Sequence, residues 1–135
     1  MAEFPAVTHV ALTVTDLTVS TPWYRRLFGV EPVLDEAVDS DHYAVAFPLA
    51  GGMLFGLHTH TATTGDHQFN ELRAGLDHVA FACADRQELE SWRVRLEELG
   101  IAHGDIVDAH FGSGLAFRDP DNIALEFFAP PAAGS

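Results

Sequence analysis

The chain has 135 residues, 47% of them hydrophobic, and a formal net charge of −13, because 20 acidic residues face seven arginines and no lysine. This size and apolar content fit one domain with a real core. The negative charge disfavours nucleic acid and anionic membranes as partners.

The ends and the cysteine content of the chain indicate its compartment. No stretch approaches the roughly 20 apolar residues of a membrane span, and the first residues lack the basic and apolar regions of a signal peptide. The single cysteine, Cys83, lies in an apolar pattern and is expected to be a buried core residue. These features predict a cytoplasmic protein.

A half-sequence occurs twice, at an offset of 69 residues. The segment 8–16 recurs as 77–85, and the residues that coincide include two histidines, two aspartates and two tryptophans: His9 with His78, Asp16 with Asp85, and Trp23 with Trp92. Internal repetition of this kind predicts two copies of one structural module.

The first copy predicts the order β-α-β-β-β. Alternation over 7–15 indicates a strand, and Ser20 or Thr21 can cap a helix that begins at Pro22 and ends before Gly29. Three further strands are predicted within 30–37, 42–47 and 53–58.

The second copy follows a small, polar linker at about 61–74 and repeats the order. Its helix is predicted over 87–99, opened by Asp85 or Arg86 and stopped by Gly100. Its strands are predicted at 76–83, 101–106, 114–117 and 123–128, and Asn122 suits positive φ in the last turn.

Several segments resemble one family. The segments are the opening 9–16 with 23–29, the second opening 75–81, and the closing 117–126, which has Asn122 where glycine is usual. They resemble the vicinal oxygen chelate superfamily of glyoxalases, bleomycin resistance proteins and extradiol dioxygenases. The resemblance implies an α+β fold of two βαβββ modules forming a cupped eight-stranded mixed sheet. Residues 1–135 would be one such domain, with module one at about 5–60 and module two at about 75–130. It also implies a homodimer.

The resemblance further implies a metal site. In this family the ligands lie on the first and fourth strands of each module, which here gives His9, His78 and Glu126, whereas the remaining position is Gly56. Two imidazoles and one carboxylate would hold a divalent ion (Fe, Mn, Zn, Ni or Co) with positions open for substrate. Whether one site draws on one chain or on two stays open.

Further polar residues are candidates for acid–base roles. His58 lies two residues beyond Gly56, on the same strand face, and could be a fourth ligand or a general base. His60 is expected in the linker. Of the third strand we expect Tyr43 and Phe47 to line the cup, and the acid–base helpers are predicted among Tyr43, His42 and His58.

The remaining candidates lie in the second module. A loop with His110 and Phe111 is expected to form a mobile lip beside the cup, and Arg118 to lie on the surface, where it balances acidic residues.

Two functions follow. The first is a metal-dependent enzyme of dioxygenase, lyase or isomerase type acting on a small oxygenated substrate. Ring-cleaving members usually have a second pair of modules, so this chain is short for that reaction, and fosfomycin modification is disfavoured because Ala11 and Ala116 replace the expected Thr and Tyr. The alternative is a non-catalytic protein that sequesters small molecules or drugs, which the acidity and ten Phe suit but the His, His, Glu set does not.

Overall fold

The computed structural model describes residues 3–63 and 68–132. The chain divides into two compact units, Met1–His67 and Gln68–Ser135. The first contains β1 (His9–Thr13), α1 (Leu17–Phe28), β2 (Leu34–Asp39), β3 (His42–Pro48), a 3₁₀ turn (Ala50–Gly52) and β4 (Leu54–His60). The second contains β5 (Val79–Ala82), α2 (Arg86–Glu98), β6 (Val107–Ala109), β7 (Gly112–Arg118) and β8 (Ala124–Ala129). Among the described residues, no helix is long and apolar enough to cross a membrane.

Each unit is a four-stranded mixed sheet with one helix. The strand orders are β1-β4-β3-β2 and β5-β8-β7-β6, in which the first strand runs parallel to the fourth and the other neighbours are antiparallel. The predicted α+β fold of two βαβββ modules is thereby confirmed. The register sets Ala11 beside Gly56 and Ala80 beside Glu126, so Gly56 and Glu126 occupy equivalent positions in the two units.

The helix covers only one face of each sheet, and we call the other face the open face. In unit 1, Tyr24 of α1 is fully buried against Phe55, with ring centroids 5.2 Å apart. In unit 2, the ring of Trp92 on α2 stacks on Phe127 at 4.3 Å. Burial of apolar side chains, aromatic and aliphatic, on the face covered by the helix favours folding of each unit.

Helix α1 begins five residues earlier than the sequence predicted. Asp16, not Ser20 or Thr21, caps it by accepting hydrogen bonds from the backbone N–H and the hydroxyl of Thr18. Pro22 therefore lies inside the helix, where its missing N–H costs one backbone hydrogen bond. Burial of one helix face that extends from Ser20 to Leu27 offsets that loss.

The strand predicted at 101–106 is wrong in its position. Only His103 there makes an isolated bridge, to Phe117, and β6 lies at Val107–Ala109. There β6 pairs with β7 across a two-residue turn, and the Asp108 carboxylate accepts hydrogen bonds from Arg86 of α2 and Ser113 of β7.

Part of the predicted linker packs on unit 2. Residues 64–67 lie outside the described residues, but Phe69 accepts a hydrogen bond from the Asn122 side chain. Glu71 forms a two-bond ion pair with Arg118, which lowers the pKa of the Glu71 carboxyl to about 2. Asn122 has φ 65°, as predicted for this turn.

Helix α2 offers a direct test of its predicted start. Asp85 accepts a hydrogen bond from the Glu88 N–H, while the Glu88 carboxylate accepts one from the Ala84 N–H. We expect Asp85→Ala to lower the free energy of unfolding by about 1 kcal/mol, measured by urea denaturation. Asp85→Asn is the control, because it retains the capping oxygen. Equal losses in both variants would contradict a capping role.

Candidate functional site

Two of the three predicted metal ligands lie together in unit 2. The Nε2 atom of His78 is 3.9 Å from Oε1 of Glu126. On the other side of the ring, Nδ1 lies 2.7 Å from Oδ1 of Asp77. Because a carboxylate only accepts, Nδ1 carries the proton, and in the neutral imidazole the Nε2 lone pair is directed to the Glu126 side.

Two features orient the Glu126 side chain: the alternation of residues along β8, and the lack of a side chain at Gly114 on the adjacent strand. Its neighbours Leu125 and Phe127 are buried under α2, so Glu126 lies on the open face. On the adjacent strand, a Cβ added to Gly114 would be 2.9 Å from Oε2 of Glu126, closer than real Cβ contacts. Gly114 therefore leaves the space that the carboxylate occupies.

A cavity of about 500 Å³ opens beside this pair. Its walls are mostly small or apolar: Ala80, Val107, Ala109, Phe111, Gly112, Gly114, Ala116 and Phe128, with Asp105, His78 and Glu126 as the ionisable members. None of the described residues that line it is an arginine or a lysine. An uncharged, flat ligand matches such walls better than a polyanion does.

The third predicted ligand, His9, belongs to unit 1. Its Nδ1 lies 2.9 Å from the hydroxyl of Thr8, so each first-strand histidine has a polar partner for Nδ1 on the preceding residue. Within residues 3–63 and 68–132, no three His, Cys, Asp or Glu side chains are already arranged to hold a metal ion.

The position equivalent to Glu126 is not empty space. A Cβ added to Gly56 would lie 3.3 Å from Nε2 of His58. The imidazole of His58 is thus folded back along β4 over Gly56, on the open face. The strand register places Thr13 and Ala44 beside His58.

His58 belongs to a histidine cluster formed by His42, His58 and His60. Nε2 of His42 lies 2.5 Å from Nδ1 of His58, and the His42 and His60 rings stack at 4.3 Å. Partial burial, together with the nearby imidazoles of His42, His60 and His9, lowers the pKa of His58 below its ordinary value of 6.5. His60 is the last residue of β4, so its expected place in the linker is wrong.

Tyr43 and Phe47 do not lie on the open face, contrary to the expectation from sequence. Phe47 is fully buried, and its ring centroid lies 5.4 Å from that of Phe28 on α1. Strand alternation puts Tyr43 on the same side of the sheet. The Tyr43 hydroxyl donates to Asp35, which raises the pKa of Tyr43. The large apolar side chains of β3 face the helix because burial favours them there, which leaves His42 on the open face.

The expected lip at His110 and Phe111 is the two-residue turn between β6 and β7. Phe111 lines the cavity and stacks on Phe128 at 6.3 Å. Sequence reasoning missed Phe128 and Asp77. Alternation from Glu126 identifies the first, and adjacency to His78 identifies the second.

Two curated proteins resemble the chain. It is 28% identical over 142 residues to biphenyl-2,3-diol 1,2-dioxygenase 3 of Rhodococcus globerulus, an alignment covering 97% of this chain and 68% of that protein. It is 32% identical over 54 residues to the putative ring-cleaving dioxygenase MhqA of Bacillus subtilis (strain 168), covering 40% of this chain and only 17% of that protein.

Solved structures of the same fold extend over nearly all of the chain. A glyoxylase/bleomycin resistance protein/dioxygenase domain from Frankia sp. EAN1pec is 32% identical with TM-score 0.84, covering 96% of this chain and 100% of that one. A FosX variant from Listeria monocytogenes, solved with Mn(II), has TM-score 0.71 at 21% identity, covering 96% and 95%. The family model described as "Glyoxalase/Bleomycin resistance protein/Dioxygenase superfamily" matches residues 6–127. The chain belongs to the glyoxalase/bleomycin resistance/dioxygenase superfamily.

Proposed function

We propose that this protein is a divalent-metal-dependent dioxygenase that opens the ring of a small, uncharged aromatic substrate carrying two adjacent hydroxyl groups. The observation that carries this proposal is the cavity of unit 2, where aromatic and small apolar walls adjoin His78 and Glu126. The names of the two curated relatives support the same reaction class.

The donor pair of unit 2 fits a metal ion. Two donors that each lie about 2.1 Å from one ion can be at most about 4.2 Å apart, and His78 Nε2 and Glu126 Oε1 are 3.9 Å apart. The Asp77–His78 hydrogen bond is the arrangement that fixes the tautomer of metal-binding histidines. We propose His9 as the third ligand, because it is the repeat equivalent of His78.

The roles of the protein's own groups follow from their surroundings. A bound divalent ion would supply two adjacent coordination positions for the substrate oxygens and stabilise negative charge on them. The walls formed by Phe111 and Phe128 would bind the ring and exclude water. His58, kept neutral by its lowered pKa, is the proposed general base for a substrate hydroxyl.

The alternative, a protein that sequesters cationic compounds, is favoured by one observation. Asp105 lines the cavity, and the chain has a net charge of −13. Metal-free protein that binds organic cations but not catechols would support this alternative over the enzyme.

Metal content tests the proposed ligand set. We expect protein purified without chelator to contain roughly one divalent ion per chain by elemental analysis. His9→Ala, His78→Ala and Glu126→Gln should each lose most of that metal, because each removes a donor. His110→Ala, on the β6–β7 turn, is the control. Full retention in all three ligand variants would contradict the site.

Oxygen uptake tests the reaction. Protein reconstituted with Fe(II) or Mn(II) should consume dioxygen when given catechol or biphenyl-2,3-diol. Phenol, which lacks the second hydroxyl, should give no uptake, because it cannot occupy two adjacent coordination positions. A metal-loaded protein that is inert towards every diol would overturn the proposed reaction.

Gly114→Ala tests the space reserved for Glu126. The added methyl group would lie 2.9 Å from Oε2, so the carboxylate must move, and we expect metal affinity to fall by roughly 10- to 100-fold, measured by titration calorimetry. Gly104→Ala is the matched control, since its Cβ would meet only the Ala116 carbonyl oxygen, at 3.8 Å. Equal affinities in the two variants would argue against Glu126 as a ligand.

A further inference from the structure

Two imidazoles on the open face of unit 1 are joined directly. Nε2 of His42 and Nδ1 of His58 are 2.5 Å apart, and the pair is partly buried. His42 lies two residues from Ala44, the direct register partner of His58, so it reaches His58 diagonally across the sheet. The contact leaves the second nitrogen of the His58 ring, Nε2, over Gly56.

Such a contact between two neutral imidazoles contains one proton. When this shared proton is on His58 Nδ1, the His58 Nε2 atom has a free lone pair and is a base. When it is on His42 Nε2, His58 must carry its own proton on Nε2 and is an acid. Transfer of this proton to His42, together with uptake of a proton at His58 Nε2 and loss of one from His42 Nδ1, therefore exchanges the two catalytic forms of His58 and leaves both rings neutral.

His42 also lines a second cavity, of about 520 Å³. Three carboxylates line it, from Asp16, Asp39 and Asp41, and the stacked ring of His60 also lines it. This acidic cavity is open to solvent, so it gives a proton that leaves His42 an exit to water.

We propose that His42 is a positioning residue and proton relay that connects His58 to this acidic cavity. The inference rests on the proposed role of His58 as general base. The proton of a substrate hydroxyl is accepted by His58 Nε2, the Nδ1 proton of His58 passes to His42 Nε2, and the Nδ1 proton of His42 leaves to water. Both rings end neutral and one proton is released.

The surroundings of His58 favour passing the proton on to His42 over keeping it on His58. The imidazoles of His42, His60 and His9 all disfavour a positive charge on His58, as does its burial. His60 adds to this repulsion, but its ring centroid is 6.5 Å from that of His58. His60 is therefore a matched control: a second nearby imidazole that stacks on His42 without taking part in the relay.

Nitrogen NMR of the metal-free, ¹⁵N-labelled 135-residue chain tests the contact without any reaction. We expect a scalar coupling between His42 Nε2 and His58 Nδ1 across the hydrogen bond. His42→Ala should abolish it and shift the His58 ring nitrogens, whereas His60→Ala should preserve it. Absence of the coupling in the wild-type chain, or unchanged His58 signals in His42→Ala, would overturn the proposal.

Kinetics of diol cleavage by the metal-loaded chain then separate relay from positioning. In His42→Gln the side-chain amide oxygen can accept the Nδ1–H of His58, so this variant can orient His58 but cannot pass its proton onward. We expect kcat to fall at least about tenfold in both His42→Gln and His42→Ala, with KM and metal content nearly unchanged, and less than about twofold in His60→Ala. Unchanged kcat in His42→Gln would overturn the relay. If the wild-type chain cleaves no diol, the proposed function fails, but the NMR result still decides whether His42 and His58 share a proton.

Discussion

Each four-stranded sheet has a helix on one face only, so the helix buries that face and leaves the other open. The placement of every candidate functional residue depends on this difference between the two faces. Large apolar side chains such as Phe47, Phe55 and Phe127 must alternate towards the helix to leave water. The intervening residues are thereby directed to the open face. His58 and Glu126 are there because their strand neighbours have to be on the other side.

The sequence predicted the fold well because its strongest signals are local and repeated. Alternation, helical spacing and the 69-residue offset identified two βαβββ units, and placed the start of α2 at Asp85 or Arg86, which are its cap and its first residue. The start of α1 was missed because Pro22 has the usual chemistry of a first helical residue, and only tertiary burial of Ser20, Tyr24 and Leu27 carries the helix through it. Strand β6 pairs with β7, and its Asp108 forms an ion pair with Arg86, 22 residues away on α2. Such contacts leave no pattern in the local sequence.

The candidate site was predictable only in part. The repeat relates Gly56 to Glu126, and the strand register agrees. The sequence could not decide which face of β3 is open, since Tyr43 and His42 both suit a cleft, and the expectation for Tyr43 was wrong. Nor does any spacing rule reveal the direct contact of His42 with His58, because it joins diagonal positions on two strands through side-chain rotation.

The two units illustrate how a duplicated module becomes chemically unequal with few changes. On the fourth strand, one unit has Gly56 followed two residues later by His58, and the other has Glu126 followed by Phe128. One strand therefore offers an ionisable ring above a bare backbone, whereas the other offers an acid beside an aromatic wall. All four residues occupy the same pair of register positions.

The bare backbone at Gly56 has an evolutionary consequence. A side chain there would start 3.3 Å from the His58 ring, so a carboxylate as fourth ligand of the proposed metal site and a folded-back imidazole compete for one volume. A lineage could pass from a closed four-ligand centre to an open one with a resident base by shortening a single side chain. The reverse path would require displacement of the imidazole before the acid could fit.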